Sequence, residues 1–230
     1  MSRPVAIFYH ALFFHGAPPE FKVDAFDIVR EQMLALKTTG LLSVAKHFVV
    51  GINGGKESEE FANLVIPANA TRVMHGLESK SENLTLVELE KWAPKNPGWN
   101  VLYHHAKACT HAADSDYGKY ASRWRRCMQA QCIHSWRRCV ADLDAGAEAV
   151  GSHWLTQQGH DHSQHYFAGN FYWVKSEFFA TIPSIFTRDR IKTSGISSLE
   201  SRYEAEVILG NGPRLPIVKN YADHGIGACP

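Results

Sequence analysis

The chain has 230 residues, 45% of them hydrophobic and 20% charged, with a formal net charge of +1. Such a chain can bury a full core, and its near-neutral balance excludes a whole-molecule electrostatic pull toward nucleic acid or acidic membranes. No apolar run approaches the ~18 residues of a membrane span, and Val5–Phe8 is too short for the apolar core of a signal peptide, so the expected location is the cytoplasm. The five cysteines, Cys109, Cys127, Cys132, Cys139 and Cys229, form no C-x-x-C pair, and the three in one expected helix, Cys127, Cys132 and Cys139, have spacings that suit packing rather than disulfides. Asn69-Ala-Thr71 and Asn83-Leu-Thr85 match the glycosylation sequon, which without a secretory route is read as chance.

Pro4–Phe8 reads as a β-strand and His10–Pro19 as the loop at its C-terminal end. Phe21–Thr39 carries Phe26, Val29, Met33, Leu34 and Leu36 near helical spacing, and Gly40 stops it. His47–Ile52 is a second apolar run, closed by the turn Asn53-Gly54-Gly55. Glu57–Asn63 is expected to be a short polar helix, with short strands at Leu64–Pro67 and Thr71–Met74. Leu84–Trp92 is helix-like, and the Pro94–Gly98 breaker precedes Trp99–Tyr103, a buried-strand pattern. This alternation predicts βαβ units: an α/β fold with a mainly parallel central sheet, in a single domain. Ligands in such sheets bind outside the carboxyl ends of the strands. That rule puts Tyr9–His15, Asn53–Lys56 and His104–Thr110 on one rim, the expected cleft, with His10 and Asn53 as candidate cofactor-binding residues.

Tyr117–Leu143 predicts one long helix, with Tyr120, Trp124, Met128, Cys132, Trp136, Cys139 and Leu143 along one stripe. Val150–Leu155 reads as a strand, Thr156–His165 as a His-rich loop, and Tyr166–Val174 as an aromatic strand broken at Gly169-Asn170. Lys175–Ile182 and Ser198–Leu209 are expected helices, and Ile217–Lys219 closes the pattern as a short extended run.

Several segments could carry chemistry. Two imidazoles and an ammonium in Tyr103-His104-His105-Ala106-Lys107, at a strand's end, could hold a diphosphate. Period-2 alternation sets Tyr103, His105 and Lys107 on one face and His104 on the other. The alternative is a solvated loop. Gly169-Asn170 inside an aromatic strand suggests a bulge or a close approach of backbone to ligand, and Asn170 offers the donor and acceptor that sugar hydroxyls need. Phe171 and Trp173 are read as core. His160, His162 and His165, with His153, raise a zinc hypothesis of no standard spacing. Arg123, Arg125, Arg126, Arg137 and Arg138 are read as a solvated face. Glu204 and Glu206, two apart on a helix, face different sides, and His224 lies near the C-terminus. The chain has no P-loop, G-x-S-x-G elbow, G-x-G-x-x-G fingerprint or H-E-x-x-H, which argues against the enzyme classes they mark.

The run Val101–Ala108, the Trp124…Met128…Trp136 helix, Val150-Gly151 and His165…Gly169-Asn170-Phe171-Tyr172-Trp173 resemble a family of bacterial and viral glycosyltransferase-like proteins. The resemblance spans roughly residues 5 to 209. It implies a GT-A-like, Rossmann-type nucleotide-sugar transferase, with a nucleotide-binding half over 1–110 and an acceptor half over 111–230. His105 and Lys107 would then lie near the donor diphosphate and Gly169 and Asn170 by the transferred sugar. Glu204 becomes a candidate base, and His224-Gly225 is similar to a diphosphate-contacting segment. A UDP-sugar is the expected donor and a hydroxyl of a glycan, or of a modified nucleobase, the acceptor. Ala108 departs from the family's usual Gly. No Asp-x-Asp motif ends the Trp99–Tyr103 strand, and Asp114-Ser115-Asp116 lies in a polar loop, so the use of a divalent metal (Mn or Mg) stays open. A His-rich metal-dependent hydrolase and a non-catalytic carbohydrate- or nucleic-acid-binding module are the competing readings.

Overall fold

In the computed structural model, residues 2–12, 25–75, 82–107, 114–158, 163–185 and 205–221 are described. The strands are β1 (Val5–Leu12), β2 (Ala45–Asn53), β3 (Thr71–Met74), β4 (Asn100–His105), β5 (Ala149–Gly151), β6 (Trp154–Gln158), β7 (Ser163–Phe167), β8 (Tyr172–Lys175) and β9 (Val218–Asn220). Seven of them form one sheet in the order β3-β2-β1-β4-β8-β5-β9, and β6 and β7 pair separately as an antiparallel ribbon. The β1–β2, β2–β3, β1–β4 and β5–β9 pairings are parallel, and β8 alone runs against its neighbours β4 and β5. The expected Rossmann-type, mainly parallel sheet with flanking helices is therefore present.

Helices α1 (Ala25–Thr38), α2 (Leu41–Val44), α3 (Lys56–Val65), α4 (Asn83–Trp92), α5 (Asp116–Gln129), α6 (Trp136–Asp144) and α7 (Ser176–Phe179) cover the sheet. Ile28, Val29, Gln32, Met33 and Leu36 bury one face of α1, the helical spacing expected of a surface helix. The core divides into two layers. Ile7, Tyr9, Val50, Leu102, Met128, Cys132 and Trp173 pack on one side of the sheet, and Phe8, Val49, Leu86, Leu89, Val101, Tyr103 and Tyr172 on the other. Alternate residues of β1 and β4 thus feed opposite layers, as the pleat requires. No helix among the described residues is long and apolar enough to cross a membrane.

Several boundaries differ from the sequence reading. β1 continues to Leu12 and β4 to His105, so His10, His104 and His105 are strand residues rather than loop residues. Pairing with β2 and β4 on either side supplies the hydrogen bonds that local pattern does not reveal. Leu64–Pro67 forms no strand, because α3 runs through Val65. The 117–143 helix is broken by a π turn at Ala130–His134. There the Cys132 carbonyl accepts the Trp173 indole N–H at 2.8 Å, a tertiary bond on the helix's own ladder. The 150–155 strand is divided at Ser152-His153, and the aromatic strand at Ala168–Phe171. Cys127 is disulfide-bonded, against the packing expectation, whereas Cys132 and Cys139 are buried free thiols. Arg125 is buried and pairs with Glu31 at 2.8 Å, so the arginine-rich face is not wholly solvated.

Candidate functional site

The chain direction switches between β1 and β4. From β1 it proceeds outward through β2 to β3, and β4 then lies on β1's other side. At such a point the loops diverge and leave a crevice at the carboxyl ends of the strands. His10 of β1 and His105 of β4 are direct register partners at this point. Because β8 is antiparallel, the Gly169-Asn170 turn that leads into it lies at the same end of the sheet, between the ends of β4 and β5.

The first turn of α4 feeds two polar clusters into this rim. In the first, Glu82 Oε2 accepts the Tyr103 hydroxyl and the Asn170 side-chain amide, each at 2.9 Å. His105 Nδ1 lies 3.7 Å from the same oxygen. His105 Nε2 is 2.9 Å from the Gly169 carbonyl, which can only accept, so Nε2 carries a proton and donates. His105 is thereby committed to the Gly169 backbone, with Gln32 Nε2 donating to its own carbonyl at 3.0 Å. Tyr103 is pushed well above the usual phenol range by burial and then by Glu82. It stays a neutral donor.

In the second cluster, Thr85 Oγ1 stands 2.8 Å from His10 Nδ1 and 3.3 Å from His75 Nε2. Burial, then His105 and His75, hold the His10 imidazole well below its ordinary range, so it is neutral. His10 Nε2 has no hydrogen-bond partner among the described residues. Gly51 lies beside His10 in the β1–β2 register, and a Cβ there would come within 1.9 Å of Thr85 Oγ1. The glycine keeps room for this cluster.

Lys107 follows β4. Its residue is 8% exposed, and its ammonium sits 4.3 Å from the ring centre of Trp124 on α5, a cation–π contact. Gly169 is left-handed at φ 85°, and a Cβ on it would meet Met128 Sδ at 2.6 Å and Trp124 at 3.2 Å. The close approach that requires glycine here is to α5 side chains, not the expected approach of backbone to ligand. Asn170 also takes a left-handed backbone, at φ 57°, and its Oδ1 has no partner among the described residues. Phe171 and Trp173 are core, as their spacing predicts.

The structure thus brings His10, His105, Lys107, Gly169 and Asn170 to one end of the sheet, with Asn53, buried at the end of β2, on the same rim. Glu204 and His224 lie outside the described residues, as do His160 and His162. His165 faces Thr156, its Nδ1 3.0 Å from Thr156 Oγ1. Ser115 is the N-cap of α5 and accepts from Gly118 N, so Asp114-Ser115-Asp116 is a helix start. No group of three or more His, Cys, Asp or Glu that could hold a metal occurs among the described residues. The acid of the first cluster, Glu82, already accepts two hydrogen bonds on one oxygen, which leaves a poor donor set for a divalent cation. Glu82 and Thr85 are rim residues to which the sequence reading gave no site role, whereas Trp124 stood on the expected helical stripe and His153 with the zinc hypothesis. A Glu three residues before a buried Thr at a helix start, facing inward, was the available signal for the first two.

No family model matches this chain, and no curated protein matches it. Solved structures with a similar course include 4-diphosphocytidyl-2C-methyl-D-erythritol synthase from Anaerococcus prevotii, at 10% identity and a TM-score of 0.48, covering 99% of this chain and 92% of that one. HddC from Yersinia pseudotuberculosis aligns at 10% identity and a TM-score of 0.42, covering 95% and 89%. CMP:2-keto-3-deoxy-manno-octonic acid synthetase complexed with CTP aligns at 9% identity and a TM-score of 0.45, covering 95% and 89%. At these scores the likeness assigns no activity.

Proposed function

We propose that the chain is a glycosyltransferase that moves a sugar from a nucleotide-diphosphate donor, UDP-sugar first among them, to a hydroxyl acceptor. The observation that carries this reading is a buried lysine, Lys107, at the carboxyl end of β4 beside the switch point between β1 and β4. Departure of a diphosphate is the electrostatic task of sugar transfer, and a preorganised cation in a low-dielectric wall serves it. Trp124 fixes that ammonium, and the Glu82–Asn170–Tyr103 and His105–Gly169 bonds fix the turn beside it.

In this reading residues 1–110 hold the nucleotide, with His10 and Asn53 lining its site. Residues 111–230 shape the acceptor side, with Asn170 Oδ1 addressing sugar hydroxyls. His105 acts by holding Gly169 rather than by touching the diphosphate. His224 keeps the diphosphate-contacting role that the family resemblance implies, Glu204 is one of two candidates for the base, and no step is routed through a metal. Isothermal calorimetry with UDP, GDP, CDP and dTDP compounds tests the reading. Wild type binds at least one of them, and Lys107→Ala weakens that binding tenfold or more, on the order of a lost charge-assisted contact. Binding of none by wild type overturns it.

A further inference from the structure

Among the described residues, two that are not glycine hold a left-handed backbone, Asn170 at φ 57° and His153 at φ 62°. Such backbones are strained and persist where the surroundings over-determine them, most often at functional sites. Asn170 is explained by its bond to Glu82. His153 is not explained by packing.

His153 lies just past the carboxyl end of β5, on the far side of β8 from His105. Its residue is 8% exposed, and neither ring nitrogen has a hydrogen-bond partner among the described residues. Ser152 Oγ beside it has none either. The backbone is held from both sides: the His153 carbonyl accepts Ala168 N at 3.0 Å, and the Gly151 carbonyl accepts Tyr221 N at 2.9 Å. Glycine or asparagine would hold this turn with less strain. An imidazole buried without a partner adds a further cost.

The ring packs edge-on to Trp124, centroids 6.3 Å apart at 71°, and Trp124 is the indole that carries the Lys107 ammonium. One aromatic side chain therefore spaces a cation at the end of β4 from an imidazole at the end of β5. Tyr221, whose backbone N–H bonds Gly151, gives its hydroxyl to Asp142 at 2.5 Å. Burial lowers the His153 pKa, so the ring is neutral with a free lone pair at pH 7.

We propose that His153 is the general base of the transfer reaction, an inference that rests on the function proposed above. The acceptor oxygen attacks the anomeric carbon while its O–H proton passes to a His153 ring nitrogen. The bond from that carbon to the diphosphate oxygen breaks, and the electron pair leaves on the diphosphate beside Lys107. The products are the glycoside, the nucleoside diphosphate and a histidinium that later returns its proton to water.

His153→Asn is the informative variant, because asparagine tolerates the left-handed backbone and cannot take a proton. Binding of UDP, GDP, CDP and dTDP is measured by calorimetry, and nucleotide release from UDP-, GDP-, CDP- and dTDP-glucose, with water as acceptor, is followed from pH 5 to 9. We expect His153→Asn to bind within about threefold of wild type, to turn over at least about 100-fold slower, and to lose the acid limb of the kcat profile. Unchanged turnover in His153→Asn, or loss of that limb in Glu204→Gln instead, overturns the assignment alone. So does nucleotide binding by wild type without release. Absence of any nucleotide binding by wild type overturns this inference together with the function on which it rests.

Discussion

Asn170 and Glu82, separated by 88 positions, meet through a 2.9 Å hydrogen bond whose accepting oxygen also takes the Tyr103 hydroxyl at 2.9 Å. The carboxylate ties the start of α4 to the end of β4 and to the turn before β8. Glu82→Ala leaves two buried donors without an acceptor, and each such group costs about 1–3 kcal/mol. Urea unfolding should show a loss of roughly 2–4 kcal/mol for Glu82→Ala and a clearly smaller one for Glu82→Gln, which keeps an acceptor oxygen. Equal losses would show that the site is held by shape rather than by these bonds.

Asn170 separates backbone strain from side-chain chemistry. At φ 57° alanine pays the left-handed penalty of about 1–2 kcal/mol, and glycine does not. Asn170→Gly should therefore unfold at a higher urea concentration than Asn170→Ala. If the proposed sugar transfer uses the Asn170 amide, both variants should lose it to a similar degree.

Gly51→Ala should cost about 1–3 kcal/mol through overpacking, since its Cβ would lie 1.9 Å from Thr85 Oγ1 and 2.6 Å from His75 Nε2. Adding Thr85→Ala removes the closer clash. A double-mutant cycle should then report coupling of at least about 0.5 kcal/mol. Strict additivity would contradict the geometry.

His104 sets an acid limit on stability. It is fully buried, stacks on Tyr9 at 4.3 Å, and burial, then His105, lowers its pKa to about 3. The ring is neutral in the fold and takes a proton in the unfolded chain. Its contribution is complete above the ordinary value of ~6.5 and is lost as pH falls from there toward about 3. Each unit of that fall removes about 1.4 kcal/mol per such histidine. Urea midpoints at pH 7, 6 and 5 should fall steadily, and His104→Leu should flatten the decline by the share of one proton.

The alternation of apolar runs and helical segments before Tyr103 made the parallel sheet and its candidate rim legible, because burial on both faces leaves continuous runs such as Val49–Ile52. His105, Lys107, Gly169 and Asn170 were legible as a group only through motif and strand-end reasoning. Glu82 and Thr85 were not, since what makes them special is inward orientation at the start of α4, a matter of tertiary docking. The π turn escaped for a related reason: the bond from Trp173 to the Cys132 carbonyl joins residues 41 positions apart. Arg125 was read as solvated because its charge says so locally, while its partner Glu31 lies on α1. His153 was legible only as a histidine near the His-rich loop, and nothing in the local pattern marked its left-handed backbone.

Both polar clusters hang from the same first turn of α4, through Glu82 on one side and Thr85 on the other. A helix turns about 100° per residue, so a slip of α4 by a single position would swing both side chains away at once. The phase of one short helix therefore governs the protonation partner of His10 and the posture of Asn170 together. Changes in sequence that reach either must preserve that phase.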